Sequence, residues 1–155
     1  MIGLTLHILL ATTKDLKAIY QIETLSYPDP WPREVFIMDY LFNSNSRYYV
    51  AKFLNKIIGF FGVWIEPEKL HIINIAVHPD YRRRGVGRKM IEFVIKLAKK
   101  KQKKEVYLEV RETNIAGQEL YKQLGFEFNG IIFDYYSDGE SGLIMRKVLN
   151  DHSWD

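Results

Sequence analysis

The segment Ile75-Ala76-Val77-His78-Pro79-Asp80-Tyr81-Arg82-Arg83-Arg84-Gly85-Val86-Gly87-Arg88 carries a buried-strand pattern into a basic, glycine-bearing turn that opens a helix. The first turn of a helix presents N–H groups that have no intrahelical partner and carry partial positive charge. Glycine lets backbone approach a phosphate closely, and arginines add charge-assisted donors. The turn therefore reads as an anion cradle suited to a diphosphate. A lone G-x-G is weak evidence, because small residues at a helix start also serve packing. Neither phosphate-binding fingerprint is met: the sequence has no G-x-x-x-x-G-K-[ST] and no three-glycine G-x-G-x-x-G.

On the C-terminal side of this turn, Val86, Met90, Phe93 or Val94, and Leu97 recur at helical spacing, with Lys89, Glu92, Lys96 and Lys99 opposite. That pattern predicts a long crossover helix. Val106, Leu108 and Val110 then alternate with Tyr107, Glu109 and Arg111 as a strand. Ala116, Leu120 and Leu124 line a second helix ended by Gly125. Strands over Glu127 to Tyr136 and Gly142 to Val148 close the chain. On the N-terminal side, β-rich runs at Tyr48 to Leu54, Ile57 to Ile65 and Leu70 to Val77, joined by polar turns, predict an antiparallel meander. Further back lie a strand over Leu6 to Leu10, a helix capped by Thr12 or Thr13, and the rigid loop Tyr27-Pro28-Asp29-Pro30-Trp31-Pro32. A helix over Arg33 to Phe42 follows. The elements make an α+β chain with a strand, helix, strand crossover at its centre.

At 155 residues, 47% apolar and 26% charged, the sequence fits one globular domain over 1–155, with an ordered core over 1–149 and a short tail at 150–155. It has no cysteine, and its four histidines form no metal-ligand spacing, so neither a disulfide framework, a thiol nucleophile nor a metal site is expected. The apolar stretch Leu4 to Ala11 is too short to span a bilayer and lacks a basic start, which makes the cytoplasm the default location. The net charge of +3 owes much to Lys99, Lys100, Lys101, Lys103 and Lys104. That run reads as a solvated helix C-terminus rather than a nucleic-acid surface, since no aromatics are interleaved with it.

The cradle has the form [R/Q]-x-x-G-x-[G/A] at Arg82, Gly85 and Gly87. Downstream stand Leu108-Glu109-Val110-Arg111-Glu112-Thr113-Asn114 and Leu120-Tyr121-Lys122-Gln123-Leu124-Gly125-Phe126. These three segments, in this order, resemble the GCN5-related N-acetyltransferase (GNAT) superfamily, most closely its RimI-type and archaeal protein N-terminal acetyltransferases. Tyr135-Tyr136 with Gly139-Glu140 and Met145 is similar to their closing motif, although Ser141-Gly142 stands where that motif has Asp-Ala. The resemblance implies the GNAT fold, with a mixed, mostly antiparallel sheet of about seven strands and about four helices. It also implies acetyl-CoA as donor and the α-amino group of a protein N-terminus, a ribosomal protein among the candidates, as acceptor. A monomer or weak dimer without nucleic acid or membrane contact is expected. The rival readings are a small-molecule amine acetyltransferase and a catalytically silent acyl-CoA-binding module.

An unperturbed α-amine has a pKa of about 7.7 to 8.0, so the base assistance needed for its attack is modest. A lone carboxylate on a crossover strand is costly to bury unless paired or used, and from the residues alone Glu109 is evenly balanced between an ion pair with Arg111 and catalysis. The resemblance implies that Glu109 is the general base and Tyr121 the acid that protonates the departing sulfur. It offers a second arrangement in His71 and Asp29, with His71 ranked after Glu109. It further implies that Arg82, Arg83, Arg84, Gly85, Val86, Gly87 and Arg88 hold the diphosphate. In the same way the backbone of Ile75, Ala76 and Val77 pairs with the pantetheine arm, Asn114 and Tyr121 touch CoA, and Asp29, Trp31, Tyr135 and Tyr136 face the acceptor.

Overall fold

A computed structural model describes residues 5–149; the tail expected at 150–155 lies outside the described residues. The strands are β1 (His7–Leu10), β2 (Ser46–Phe53), β3 (Lys56–Ile65), β4 (Lys69–Val77), β5 (Glu105–Arg111), β6 (Glu127–Ile132) and β7 (Gly142–Val148). The helices are α1 (Leu16–Ser26), α2 (Arg33–Phe42), α3 (Val86–Lys100) and α4 (Ile115–Gln123). The strands form one seven-stranded sheet in the order β1-β2-β3-β4-β5-β7-β6. Pairing is antiparallel for β1–β2, β2–β3, β5–β7 and β6–β7 and parallel for β4–β5, the mixed sheet that the GNAT fold requires.

The chain divides into two compact units. The first runs up to Trp64 and includes Ile73–Met90; the second takes Ile65–Ile72 and the chain from Ile91 onward. In the first, Ala11, Ile19, Ile22, Phe36, Tyr48, Val50, Phe60 and Ala76 form one buried cluster. Helix α2 is tied to it through Asp39, whose carboxylate accepts from Ser46 Oγ and Tyr48 Oη, both at 2.7 Å, and from Trp64 Nε1 at 3.1 Å. A half-buried carboxylate with that many donors is held without a counter-ion. The helix after the first strand begins later than expected. Thr12 and Asp15 form a capping box around a short 3-10 turn, Thr13–Asp15, and α1 starts at Leu16.

In the second unit β5 alternates between buried Val106, Leu108 and Val110 and the partly exposed Glu105, Tyr107, Glu109 and Arg111. Helix α4 ends in a Schellman motif: Phe126 N–H donates to Tyr121 O at 2.9 Å and Gly125 N–H to Lys122 O at 3.0 Å, with Gly125 at φ +93°. Strand β6 stops at Ile132 rather than running to Tyr136, because Asp134 takes φ +53° and turns the chain away from the ladder. The lysine run is exposed at Lys99, Lys100, Lys101 and Lys104, as expected of a solvated helix end, while Lys103 is half-buried. Lys103 Nζ donates to Glu66 O at 2.8 Å and Pro67 O at 3.2 Å, and Lys104 pairs with Glu68 at 2.9 Å.

Gly62 on β3 lies against the buried Tyr48 ring, where a Cβ would come within 2.5 Å of Cε2. Asp39 holds the tyrosine hydroxyl and prevents the ring from retreating. Gly62→Ala is expected to destabilise the protein by about 1–3 kcal/mol, the usual cost of overpacking. A urea titration should show a lowered midpoint with an unchanged m-value.

Candidate functional site

In the first unit, β4 leads through a 3-10 turn, Pro79–Tyr81, into the basic segment before α3. His78 Nδ1 caps this turn by accepting from Asp80 N–H at 3.1 Å. Arg83 and Gly85 both take positive φ, +63° and +81°, folding the segment back so that its amides precede the helix axis. Lys89 N–H donates to Gly85 O at 3.1 Å, the first helical bond, which leaves the Val86 and Gly87 amides among the helix's unpaired donors. A Cβ on Gly85 would meet nothing within 4 Å, so the space over this turn is open. Val86 is fully buried and anchors the helix start.

The arginines divide into two kinds. Arg82 braces the turn, with Nε donating to Val77 O at 3.0 Å and NH2 to Ser26 Oγ at 3.2 Å. Arg83 and Arg84 are exposed, Arg84 lying 5.6 Å from the Tyr81 ring, while Arg88 is half-buried. On the strand itself, the Ile75 carbonyl accepts from the Tyr27 hydroxyl. His78 N–H donates to Ile58 O at 2.8 Å, and the Ala76 carbonyl lies 3.2 Å from a Cβ placed on Gly59, so the backbone of these alternate residues faces β3. Ile75 and Val77 present theirs on the other edge.

The second unit holds the titratable cluster. The parallel β4–β5 ladder runs from Lys69↔Glu105 to Ile72↔Leu108 and sets His71 opposite Tyr107. Glu109, two residues on, shares the face of Tyr107. His71 Nε2 lies 2.7 Å from Glu109 Oε1. The side chains are 13% and 11% exposed, respectively, so the contact is largely shielded from water. Tyr135 Oη adds a longer contact to the same oxygen at 3.4 Å. Burial, followed by the Glu109 charge and hydrogen bond, pushes the Tyr135 hydroxyl up to about 12. The two candidate bases thus touch one another. Arg111 NH1 turns to Asp138 at 2.9 Å and Glu140 at 2.7 Å, and its guanidinium stacks 4.0 Å over Tyr136.

Tyr121 is 7% exposed with its ring 5.9 Å from Phe126, and burial raises its hydroxyl to about 12. It carries its proton at any physiological pH. Asn114 caps α4 by accepting from Gly117 N–H at 2.9 Å. Glu140 fastens the loop after β5: its Oε2 takes Thr113 Oγ1 at 2.5 Å and Thr113 N–H at 2.7 Å. Those two bonds, with Arg111, hold its carboxyl down to about 2. Asp29 and Trp31 lie in the α1–α2 loop of the first unit, where Tyr20 Oη donates to Trp31 O at 2.7 Å.

Four residues escaped the sequence reading. Glu23, 5% exposed on α1, accepts from Asn74 Nδ2 at 2.9 Å and from the Trp31 amide, so it holds the loop that carries Asp29 and Trp31. Burial raises its carboxyl above the usual range, and these bonds offset only part of that rise. Glu66 and Tyr107 flank His71: Tyr107 Oη donates to Glu66 Oε2 at 2.6 Å, and the His71 and Tyr107 rings stack at 4.2 Å and 9°. Tyr107 was detectable as the same-face neighbour of Glu109. Glu66 lies in one of the polar turns that join the β-rich runs, and nothing in the sequence set it, Glu23 or Asn74 apart.

The first unit thus carries a basic, helix-opening turn and the second a shielded carboxylate–imidazole pair. Residues 16–126 match the model of the acetyltransferase (GNAT) family. The ribosomal protein bS18-alanine N-acetyltransferase of Escherichia coli strain K12 is 35% identical over 143 residues, covering 89% of this chain and 94% of that protein. An N-alpha-acetyltransferase of Sulfurisphaera tokodaii is 31% identical over 152 residues, covering 90% of each. The crystal structure of the ribosomal-protein-S18-alanine N-acetyltransferase from Escherichia coli superposes with a TM-score of 0.85 over 97% of this chain and 100% of that one, at 29% identity. The chain belongs to the GNAT acetyltransferase family and is an acyltransferase.

The Glu140 clasp has a defined pH signature. Its carboxyl is held below the unfolded value of 4.5, so its contribution to stability is complete above that value and is lost as pH falls towards about 2. Glu140→Gln is expected to lower the melting temperature at pH 7. The gap to the parent protein should narrow from pH 4.5 downward in thermal scans across pH.

Proposed function

We propose that the protein transfers an acetyl group from acetyl-CoA to the α-amino group of a protein N-terminus, in the cytoplasm. The observation that carries this reading is the His71–Glu109 contact at 2.7 Å, a proton-accepting pair in a chain whose relatives are named for N-terminal acetylation. The open space over Gly85, the positive φ there and the Val86 and Gly87 amides suit a diphosphate held by the turn, with Arg83 and Arg84 supplying charge. The outward backbone of Ile75 and Val77 pairs with the donor's extended arm as an added strand would, exchanging the Tyr27 hydroxyl at Ile75 O for that partner.

Acetyl-CoA supplies a thioester whose C–S bond breaks as the amine nitrogen forms its bond to the acetyl carbon. Glu109 takes the ammonium proton, directly or through one water, and leaves the nitrogen lone pair free to attack. Tyr121, protonated throughout the physiological range, gives its proton to the departing sulfur and regains one from solvent. The second N–H proton passes to water as the C–S bond breaks, so one proton is released per turnover: the amine loses two and sulfur takes one. Asp29, Trp31, Tyr135 and Tyr136 contact the acceptor, and Asn114 contacts the donor while it caps α4.

Turnover of acetyl-CoA against peptides differing in their free N-termini, read by mass spectrometry, tests the acceptor. Acetylation at the α-amine of a subset of peptides is expected. Acetylation of small amines or side chains alone would replace this reading with the small-molecule one. Glu109→Gln should reduce kcat by about 10²–10⁴-fold, the usual worth of a general base, with CoA affinity retained in calorimetry. Tyr121→Phe should slow transfer without unfolding the chain; loss of the folded state instead would make this tyrosine a core residue.

A further inference from the structure

We infer that Glu66 and Tyr107 are positioning residues for the same reaction, fixing the His71 imidazole so that the Glu109–His71 contact receives the proton leaving the acceptor amine. This rests on Glu109 being the base. Tyr107 is the register partner of His71 across the parallel ladder, and its ring lies flat against the imidazole at 4.2 Å and 9°. Stacking fixes the ring plane but leaves open which nitrogen points where. Glu66 biases that choice through its charge, because its Oε2 stands 3.9 Å from Nδ1, beyond hydrogen-bond reach, and is held there by the Tyr107 hydroxyl at 2.6 Å. Lys103 anchors the backbone of the turn at Glu66 O and Pro67 O. A carboxylate facing Nδ1 favours an N–H at that position.

With Nδ1 protonated, the nitrogen that exchanges a proton is Nε2, which faces Glu109 Oε1 at 2.7 Å. An imidazole lone pair and a carboxylate lone pair at that separation require a proton between them, so the geometry matches the proton-loaded form of the pair. In the loaded form both ring nitrogens are donors and both face carboxylates, Glu66 on one side and Glu109 on the other. The step is balanced. The N–H bond of the acceptor ammonium breaks, its electron pair stays on nitrogen for the attack, and the proton comes to rest between Glu109 Oε1 and His71 Nε2, to leave later for water. The charged and titratable groups around the pair are Glu66 on the β3–β4 turn, Tyr107 and Glu109 on β5, Tyr135 after β6, and Lys69, whose Nζ lies 5.5 Å from the Tyr107 ring. Glu66 is 35% exposed and makes no buried-core contact, which lets its charge be removed without opening the fold.

Glu66→Gln keeps the shape and deletes the charge that favours the loaded form. The acidic limb of the kcat/KM–pH profile should move to lower pH, with kcat down by about tenfold and KM for acetyl-CoA unchanged. Glu66→Asp, which retains the charge, should leave the limb where it is. Imidazole ¹⁵N spectra should show His71 as the Nδ1–H tautomer in the parent protein and as a mixture in Glu66→Gln, and Tyr107→Phe should move these signals in the same direction. A lower kcat with an unmoved limb, or His71 signals unchanged in Glu66→Gln, would overturn the inference. Full turnover by Glu109→Gln would instead refute the base itself, and because the ¹⁵N signals do not depend on turnover, the two failures are distinguishable.

Discussion

The parallel pairing of β4 with β5 is the constraint on which the rest of this molecule depends. Antiparallel neighbours can be joined by a tight turn, but parallel ones need a crossover, and here that crossover is α3. The chain must leave β4, reverse, and begin a helix, so the same connection that makes the pairing parallel also creates a helix N-terminus directly after the strand. Arg83 and Gly85 supply the two left-handed residues that the reversal needs. For Gly85 this conformation carries no steric penalty; for Arg83 it is a cost borne by a residue whose charge suits an anion. The cradle and the strand pairing are therefore two consequences of one connection.

The second consequence of the ladder is electrostatic. Its register stacks His71 on Tyr107 and places Glu105 and Glu109 two positions to either side along one face of β5. Three carboxylates, those of Glu66, Glu105 and Glu109, then share a small region, and each is answered differently. Glu105 is flanked by Lys69 at 3.7 Å and Arg146 at 3.6 Å, Glu66 takes a tyrosine hydroxyl, and Glu109 takes the histidine. Of these partners the histidine is the one whose ring nitrogens can either donate or accept a proton. Where a lysine or arginine would have locked the carboxylate as a permanent ion, an imidazole leaves it able to exchange a proton. The exposed Lys104–Glu68 pair on the neighbouring turn is of the other kind, a screened surface contact of little energetic weight.

Much of this was legible in the sequence because local rules decided it. Helix α2 and strand β7 have the expected bounds, Arg33–Phe42 and Gly142–Val148, and Pro32 at the N-cap fixes where the helix starts. The apolar face of α3 also holds, with Val94 rather than Phe93 fully buried and Leu97 only partly so. The strand expected over Glu127 to Tyr136 is shorter, because β-prone Ile131, Ile132, Phe133, Tyr135 and Tyr136 run on past Asp134, whose positive φ breaks the backbone. What could not be read was register. Glu109 stood out as a costly carboxylate and His71 only through the family resemblance, and 38 positions separate them. Their meeting depends on how far α3 carries the chain before β5 begins. Glu66 was illegible for the same reason, since a turn glutamate acquires meaning only from what lies across the ladder.

The departure at Ser141-Gly142 from the closing motif that this chain otherwise resembles has a physical counterpart. Gly142 begins β7 and is buried, and a Cβ there would come within 2.8 Å of Tyr135 Cδ2 and 3.2 Å of Cγ. Even an alanine would push the ring outward, because the contact is with the ring root and not with the end of a flexible chain. Glycine lets the Tyr135 ring settle against the strand, and from there its hydroxyl reaches to 3.4 Å from Glu109. Tyr136, the next residue, is held from the other side by Arg111, and the two rings meet edge to face at 4.9 Å. The segment after β6 thus gets its shape from one missing methyl group and one guanidinium. The glycine that departs from the family pattern leaves the room in which the Tyr135 ring sits while its hydroxyl reaches Glu109.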